Sequence, residues 1–291
     1  MANNIQTFKK YIPYLDLVYK KESLTSLLDV DDTLVKQGAN ASEIVIPMMK
    51  MDGLGSYSRN GGYKAGNVTL THETVPFTYD RGRKFSVDAM DNEETAGVAF
   101  GRLGAEFVRT MAVPEQDAYR FSTYASKTGI SKATPVALTS ANNALTALIA
   151  AQNKMDEDEV ATQERYLFIT PTIINMILNV DTTKSKAVLD SFAGIIKVPQ
   201  SRFYTSVDLF DGESDGEETG GYKKATAGKD INFMVVHKPC ILQYNKHVVN
   251  KVISPELNQE SDGYLFFYRS YGLANVYENK LAGVYLHANI T

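Results

Sequence analysis

The chain has 291 residues, 44% hydrophobic and 22% charged, enough apolar material for one large domain or two modest ones. Its net charge of −4 is too mild and of the wrong sign for a general binder of nucleic acid or anionic membrane. Cys240 is the single cysteine, which excludes an intrachain disulfide and a cysteine zinc cluster and suits a reducing compartment.

The first residues, MANNIQTFKKYIPYLDL, lack a continuous apolar core, and no later run approaches roughly 18 apolar residues, so neither secretion nor membrane spanning is expected. The sequons at Asn40, Asn67 and Asn289 then read as chance matches. Residues 1–42 read as an arm. Tyr14, Leu17, Val18, Leu24, Leu27 and Leu28 recur at helical spacing after Pro13, but so short a helix needs a surface, on its own domain or on another subunit. From Ile44 to Asp88 strands and glycines alternate. Asn60-Gly61 and Gly66-Asn67 are turn dipeptides, Val68 and Leu70 alternate with threonines, and Phe85 and Val87 alternate with polar residues. This predicts a long projecting hairpin, poor in apolar residues and dependent on a neighbour.

Asp91 to Lys127 predicts one long helix. Ala96, Ala99, Phe100, Leu103, Phe107, Val108 and Met111 form a stripe, Glu94, Arg102, Glu106 and Arg109 lie opposite it, and Pro114 is expected to kink or break the rod. Such a helix spans roughly 50 Å, more than an ordinary small domain. Further on, Ser140–Gln152 and Asp156–Arg165 predict helices, Tyr166–Thr170 a strand, and Pro171 opens a helix through Leu178. Lys186–Ile196 is a weak helix or turn, Arg202–Leu209 and Ile231–Val236 are strands, and Asp211–Gly228 is a glycine-rich acidic loop. Val248–Ile253, Gly263–Leu273 and Ala274–His287 read as long strands with hairpin turns near Glu278 and Asn279. No internal repeat is visible.

Catalytic constellations are poor. His72, His237, His247 and His287 have no metal spacing or triad context, and Cys240 reads as a small core residue. The glycines from Gly53 to Gly62 do not complete a phosphate loop, and Asp211, Glu213, Asp215, Glu217 and Glu218 do not follow the EF-hand order. Lys9-Lys10 and Lys20-Lys21 read as solvated. No cofactor, metal site or enzymatic activity is expected. The absence of Trp beside 17 Tyr and 13 Phe suits broad surfaces buried against neighbours.

Three stretches taken together, GLGSYSRNGGYKAGNVTLTHET, DRGRKFSVDAMDNEETAGVAFGRLGAEFVRTMAVPEQDAYRFS and FFYRSYGLANVYENKLAGVYLH, resemble a major capsid protein of a tailed bacteriophage with the Hong Kong 97-like fold. The resemblance implies an α+β chain with an N-terminal arm at 1–42 and an extended β-hairpin loop at 43–87. It implies a peripheral domain with a spine helix at 88–127, an axial domain at 128–247, and peripheral C-terminal strands at 248–291. It further implies self-assembly through pentamers and hexamers into an icosahedral head enclosing double-stranded DNA, built in the host cytoplasm with a scaffolding protein and a portal protein. An encapsulin-like protein compartment is the alternative. Arg59, Tyr63, Lys64, Arg81 and Arg83, placed on the hairpin, are expected to meet acidic surfaces such as Glu93 and Glu94 of an adjacent subunit. Lys64 lies near the tip, where some relatives form a crosslink, but no matching asparagine environment is evident and none is expected here.

Overall fold

The computed structural model describes residues 23–30, 43–94, 102–179 and 182–290. The expected arm helix around Tyr14 and most of the spine stripe's first turn lie outside these residues. Strands β1 (Glu43–Met51) and β2 (Val68–Pro76) pair antiparallel from Glu43 opposite Pro76 to Met51 opposite Val68, forming a two-stranded hairpin. Strand β3 (Tyr79–Asp88) follows, and the Asp88 carboxylate accepts the Met90 N–H at 2.9 Å to open helix α1 (Ala89–Glu94). Helix α2 (Leu103–Phe107) passes through a π turn (Val108–Ala112) and continues as α3 (Val113–Ser126), which together make one long helix.

Pro114 does not break this helix. The Val113 N–H reaches back to the Val108 carbonyl, five residues away, so the wider turn absorbs the hydrogen bond that a proline ring cannot donate. The Thr110 hydroxyl donates to the Glu106 carbonyl at 2.7 Å within the same turn.

Strand β4 (Ser131–Lys132) leads to helix α4 (Ala141–Glu157), whose first turn is capped by Ser140 Oγ accepting the Asn143 N–H. Next come β5 (Arg165–Ile169), α5 (Pro171–Leu178), α6 (Thr182–Leu189), β6 (Gly194–Lys197), β7 (Val207–Leu209) and β8 (Tyr222–Lys224). The chain ends with β9 (Ile231–His237), β10 (Ile241–Ile253), β11 (Gly263–Val276) and β12 (Val284–Ala288).

Two sheets carry the body. One is antiparallel in the order β10-β11-β3; the other is mixed, in the order β4-β12-β9-β5-β6. In β9 nearly every side chain is buried, because the strand is covered on both faces. Met234 and Val236 face a core shared with Phe121 and Tyr124 of α3, while Phe233 and Val235 face Leu148, Met155 and Ile177 of α4 and α5. Helix α3 therefore lies between the sheets and joins them: Phe121 meets Phe168 and Phe203 edge-on at 5.2 and 4.9 Å.

The same helix holds a buried polar knot. Asp117, wholly buried, accepts the Leu24 and Thr25 N–H groups, the Ser23 and Thr25 hydroxyls, and Arg202 Nη1 at 3.1 Å. One turn on, Arg120 donates to Thr25 Oγ1 and Asn245 Oδ1, and Gln243 donates to the Thr25 carbonyl while accepting the Tyr124 hydroxyl. Residues 23–30 are thereby fastened into the body, with Leu28 sealed in the core.

Several expectations change. The acidic helix expected over 156–165 is absent: α4 continues to Glu157 because Ala151 and Met155 prolong its buried stripe. Glu159 and Glu164 then take left-handed φ values of 55° and 56° and turn the chain into β5. Arg165 holds that turn through the Val160 and Ala161 carbonyls and Asp156. The segment 79–88 belongs to the three-stranded sheet and not to the hairpin, since it pairs with β11 from Tyr79 opposite Gly272 to Asp88 opposite Gly263. Nor do the last strands form a hairpin. A 3₁₀ stretch, Glu278–Gly283, carries the chain across so that β12 enters the other sheet between β4 and β9. The weak element at 186–196 resolves into the end of α6 and β6, the strand expected over 202–209 shortens to β7, and the acidic loop contains β8.

Replacing Asp117 by Ala removes the buried acceptor that Arg202 and the donors of residues 23–25 share and is expected to cost about 3–5 kcal/mol of stability in urea unfolding. Lys84→Ala, which breaks an exposed pair with Glu260, is expected to change stability by less than about 1 kcal/mol in the same assay.

Candidate assembly surface

The hairpin root and its outer half face opposite ways. Directly opposed residues in an antiparallel pair share a face and neighbours along a strand alternate, so Ile44, Ile46 and Lys50 lie with Val75, Glu73 and Thr69. That face is turned to the body, where Ile44 and Val75 are buried against Leu242 and Leu273 and Met48 and Lys50 line a cleft with Lys127 and Leu281. The reverse face does the opposite. Toward the tip it carries Met49, Met51, Val68 and Leu70, exposed by 57%, 69%, 65% and 56%. An apolar face raised from the body on two strands has nothing of its own chain to cover it among the described residues.

The tip, residues 52–67, is ordered locally. Asp52 and Asn67 exchange hydrogen bonds, Ser58 and Gly62 bridge, and the Tyr57 and Tyr63 rings meet edge-on at 5.0 Å. Leu54 and Tyr63 are almost entirely exposed, and the only charged side chains beyond Asp52 are the exposed cations Arg59 and Lys64.

On the body, a groove of about 520 Å³ runs between β3, the long helix and residues 210–221. Its floor is apolar, with Phe85, Phe107, Tyr268 and Met111. Its outer wall is tied to the floor by two arginines. Arg81 pairs with Glu115 at 2.7 Å and donates to the Gly221 carbonyl, and Arg83 donates to the Glu218 carbonyl at 2.9 Å. The Arg83 guanidinium sits against Gly212 and Gly220; a Cβ on Gly212 would lie 2.4 Å from it, and the φ of +80° there also disfavours a side chain. Within the wall, the Asp211 carboxylate accepts the Glu213 and Ser214 N–H groups and the Ser214 hydroxyl, which hold its pKa down at about 2.

The residues singled out from the sequence therefore separate into three places. Arg59, Tyr63 and Lys64 share the hairpin tip; Glu93 and Glu94 are exposed at the end of α1; Arg81 and Arg83, expected on the hairpin, are in β3 and bonded within the chain. Their partners Glu115 and Glu218 are 34 and 135 residues away, a separation no local pattern reveals. Sequence reasoning also missed Asp117, Arg120 and Arg202. A signal existed, since Asp117 and Arg120 put charge on the helix face that also carries Phe121 and Tyr124. Cys240 is buried, which pushes its thiol up to about 12. His287, also buried, has its pKa lowered by desolvation and lies 3.1 Å from the Asn232 amide.

No protein-family model matches the sequence, and no curated protein matches it. Solved structures do. A chain of the mature capsid of bacteriophage PhiM1 superposes with a TM-score of 0.66 at 11% identity, covering 98% of this chain and 92% of that one. A chain from Mycobacterium phage Che8 gives 0.64 at 11% identity, covering 96% and 98%. The chain has the Hong Kong 97-like capsid fold. A virus-like particle from Pyrococcus furiosus shares it less closely, with a TM-score of 0.53 at 13% identity over 87% of each chain.

Gly212→Ala is expected to displace the 210–221 wall, raising amide exchange there at least several-fold while the centre of β9 keeps its protection. The Asp211 pKa is depressed on folding, so its contribution to the wall is full above the ordinary value of 3.8 and is lost as pH falls toward about 2. Protection of the Glu213 and Ser214 amides should therefore hold at pH 5 and fade only in that acid window.

Proposed function

We propose that this protein is a major capsid protein, a non-enzymatic subunit whose copies assemble through pentamers and hexamers into the icosahedral head of a tailed phage. The observation that carries this reading is the hairpin, which turns an apolar face away from its own body on a fold shared with a phage capsid chain. The covering surface belongs to an adjacent copy. Each contact is modest, but one subunit engages several neighbours at once, and that multivalency stabilises a closed shell beyond any single interface. A net charge of −4 suits a container around double-stranded DNA, whereas a protein coating the DNA would be basic.

In this reading residues 1–42 are the arm, anchored at 23–30 by Asp117, and the reaching hairpin comprises β1 and β2. The peripheral domain is the three-stranded sheet with the long helix, and the axial domain is the five-stranded lobe, in which β12, expected among the peripheral C-terminal strands, is one of the five. Arg59, Tyr63 and Lys64 contact the neighbour, and Glu93 and Glu94 offer it an acidic surface. A scaffolding protein and a portal protein are the partners in the host cytoplasm, and the virion is the destination.

A second reading, an encapsulin-like compartment enclosing proteins, is favoured by the likeness to the Pyrococcus furiosus particle. Enzyme cargo inside purified shells would support it; DNA-filled heads made with portal and tail genes would exclude it.

Size-exclusion chromatography and negative-stain microscopy of the protein, alone and with its neighbouring genes, should give shells or rings of five and six. The double variant M51D/V68D is expected to fold with stability within about 1 kcal/mol of the parent, because both sites are exposed, yet to lose shells at least tenfold. Parent protein that stays monomeric under every condition would defeat the reading.

A further inference from the structure

We propose that Asn60, in the turn at the hairpin tip, is a self-modification site at which an unassembled subunit slowly exchanges a neutral carboxamide for a carboxylate. Asn60-Gly61 is the single Asn-Gly pair in the chain. Both residues are exposed, and the Asn60 carboxamide has no hydrogen-bond partner among the described residues. A glycine leaves its own nitrogen unshielded and its backbone free to rotate toward the preceding side chain. The turn does little to prevent that approach. Ser58 and Gly62 exchange backbone hydrogen bonds of 3.2 and 2.7 Å that pin its two ends. Between them the Gly61 N–H is held by one bond, to the exposed Ser58 hydroxyl at 3.2 Å.

The chemistry needs water and no other reagent. Hydroxide removes the Gly61 amide proton, and the nitrogen attacks Cγ of Asn60. A new C–N bond closes a succinimide ring while the carboxamide nitrogen leaves as ammonia, taking a proton from water and restoring the hydroxide. Water then opens the ring at either carbonyl. One opening gives an ordinary aspartyl link; the other routes the backbone through the side-chain methylene and gives an isoaspartyl link. The sum is one water taken up and one ammonia released, with nothing oxidised or reduced. Either product sets an anion between Arg59 and Lys64, and the isoaspartyl link also lengthens the turn that the Ser58–Gly62 pair closes. The consequence for shells rests on the assembly reading above, in which those two cations contact a neighbour. A subunit left free then loses competence as it ages, whereas a seated tip is shielded from water and held still.

The test compares full-length protein kept as dilute free subunits with the same protein in shells, each digested with pepsin in acid, where ring closure stalls, and read by peptide mass. In free subunits Asn60 is expected to convert roughly tenfold or more faster than Asn279, which is exposed but followed by lysine, and faster in mildly alkaline than in mildly acid buffer. The G61A variant should suppress the conversion while folding normally, because Gly61 has no left-handed φ and a Cβ there meets Ser58 Oγ at an ordinary 3.5 Å. In shells Asn60 should remain an amide. N60D is expected to lower the shell yield several-fold, and N60Q to assemble like the parent. Conversion at Asn60 no faster than at Asn279, or undiminished by G61A, overturns the proposal. So does conversion that runs equally fast in shells, or N60D protein that assembles as well as N60Q. A parent protein that forms neither shells nor rings defeats the assembly reading instead, and the free-subunit comparison of Asn60 with Asn279 still decides the site.

Discussion

The buried carboxylate of Asp117 is the constraint on which the rest of the subunit depends. A charge with no access to water costs several kcal/mol unless its oxygens are filled, and here the donors come from outside its own helix, four from residues 23–25 and one from Arg202 in the turn before Phe203, while Arg120, bound to β10, braces Thr25. The knot specifies where the arm enters, how α3 is rotated and how the two sheets meet. Apolar packing alone, through Phe121, Phe168 and Phe203, would hold the parts together without fixing their relative angle so sharply.

Around that fixed centre the chain distributes two kinds of surface. The five-stranded sheet is sealed on both faces and behaves as an ordinary core. The hairpin is sealed only at its root, and its outward half reverses which face is apolar. The switch follows from strand geometry alone: with a period of two, Ile44 and Ile46 point one way and Met49 and Met51 the other. A neighbour placed on the far side of the hairpin gains the apolar face that the body never touches.

Much of this was legible in the sequence where periodicity is strong and local. The glycine-rich hairpin, the buried β9 run and the Pro171 helix start follow from alternation, turn dipeptides and first-turn proline, and the order of motifs carried the resemblance to the capsid fold. What was not legible depends on distant pairing. Strand β3 alternates just as a hairpin strand does, and only its partner β11, some 180 residues later, assigns it to the body. Arg81 and Arg83 look like free surface cations until Glu115 and Glu218 arrive from elsewhere. Pro114 reads as a helix breaker because propensity does not anticipate a π turn, and the strand reading of Ala274–His287 overlooks that a 3₁₀ stretch can hand a strand to another sheet.

In the assembly reading the outer face of the hairpin and the surface that covers it are different parts of one chain, so their contact is heterologous: each copy gives a hairpin and receives one, and a twofold pair leaves one of each unsatisfied. Such contacts either close into a ring or propagate without end. In that reading the angle at which the hairpin leaves the body bears on whether the ring closes, and that angle is held where Ile44 and Val75 bury against Leu242 and Leu273.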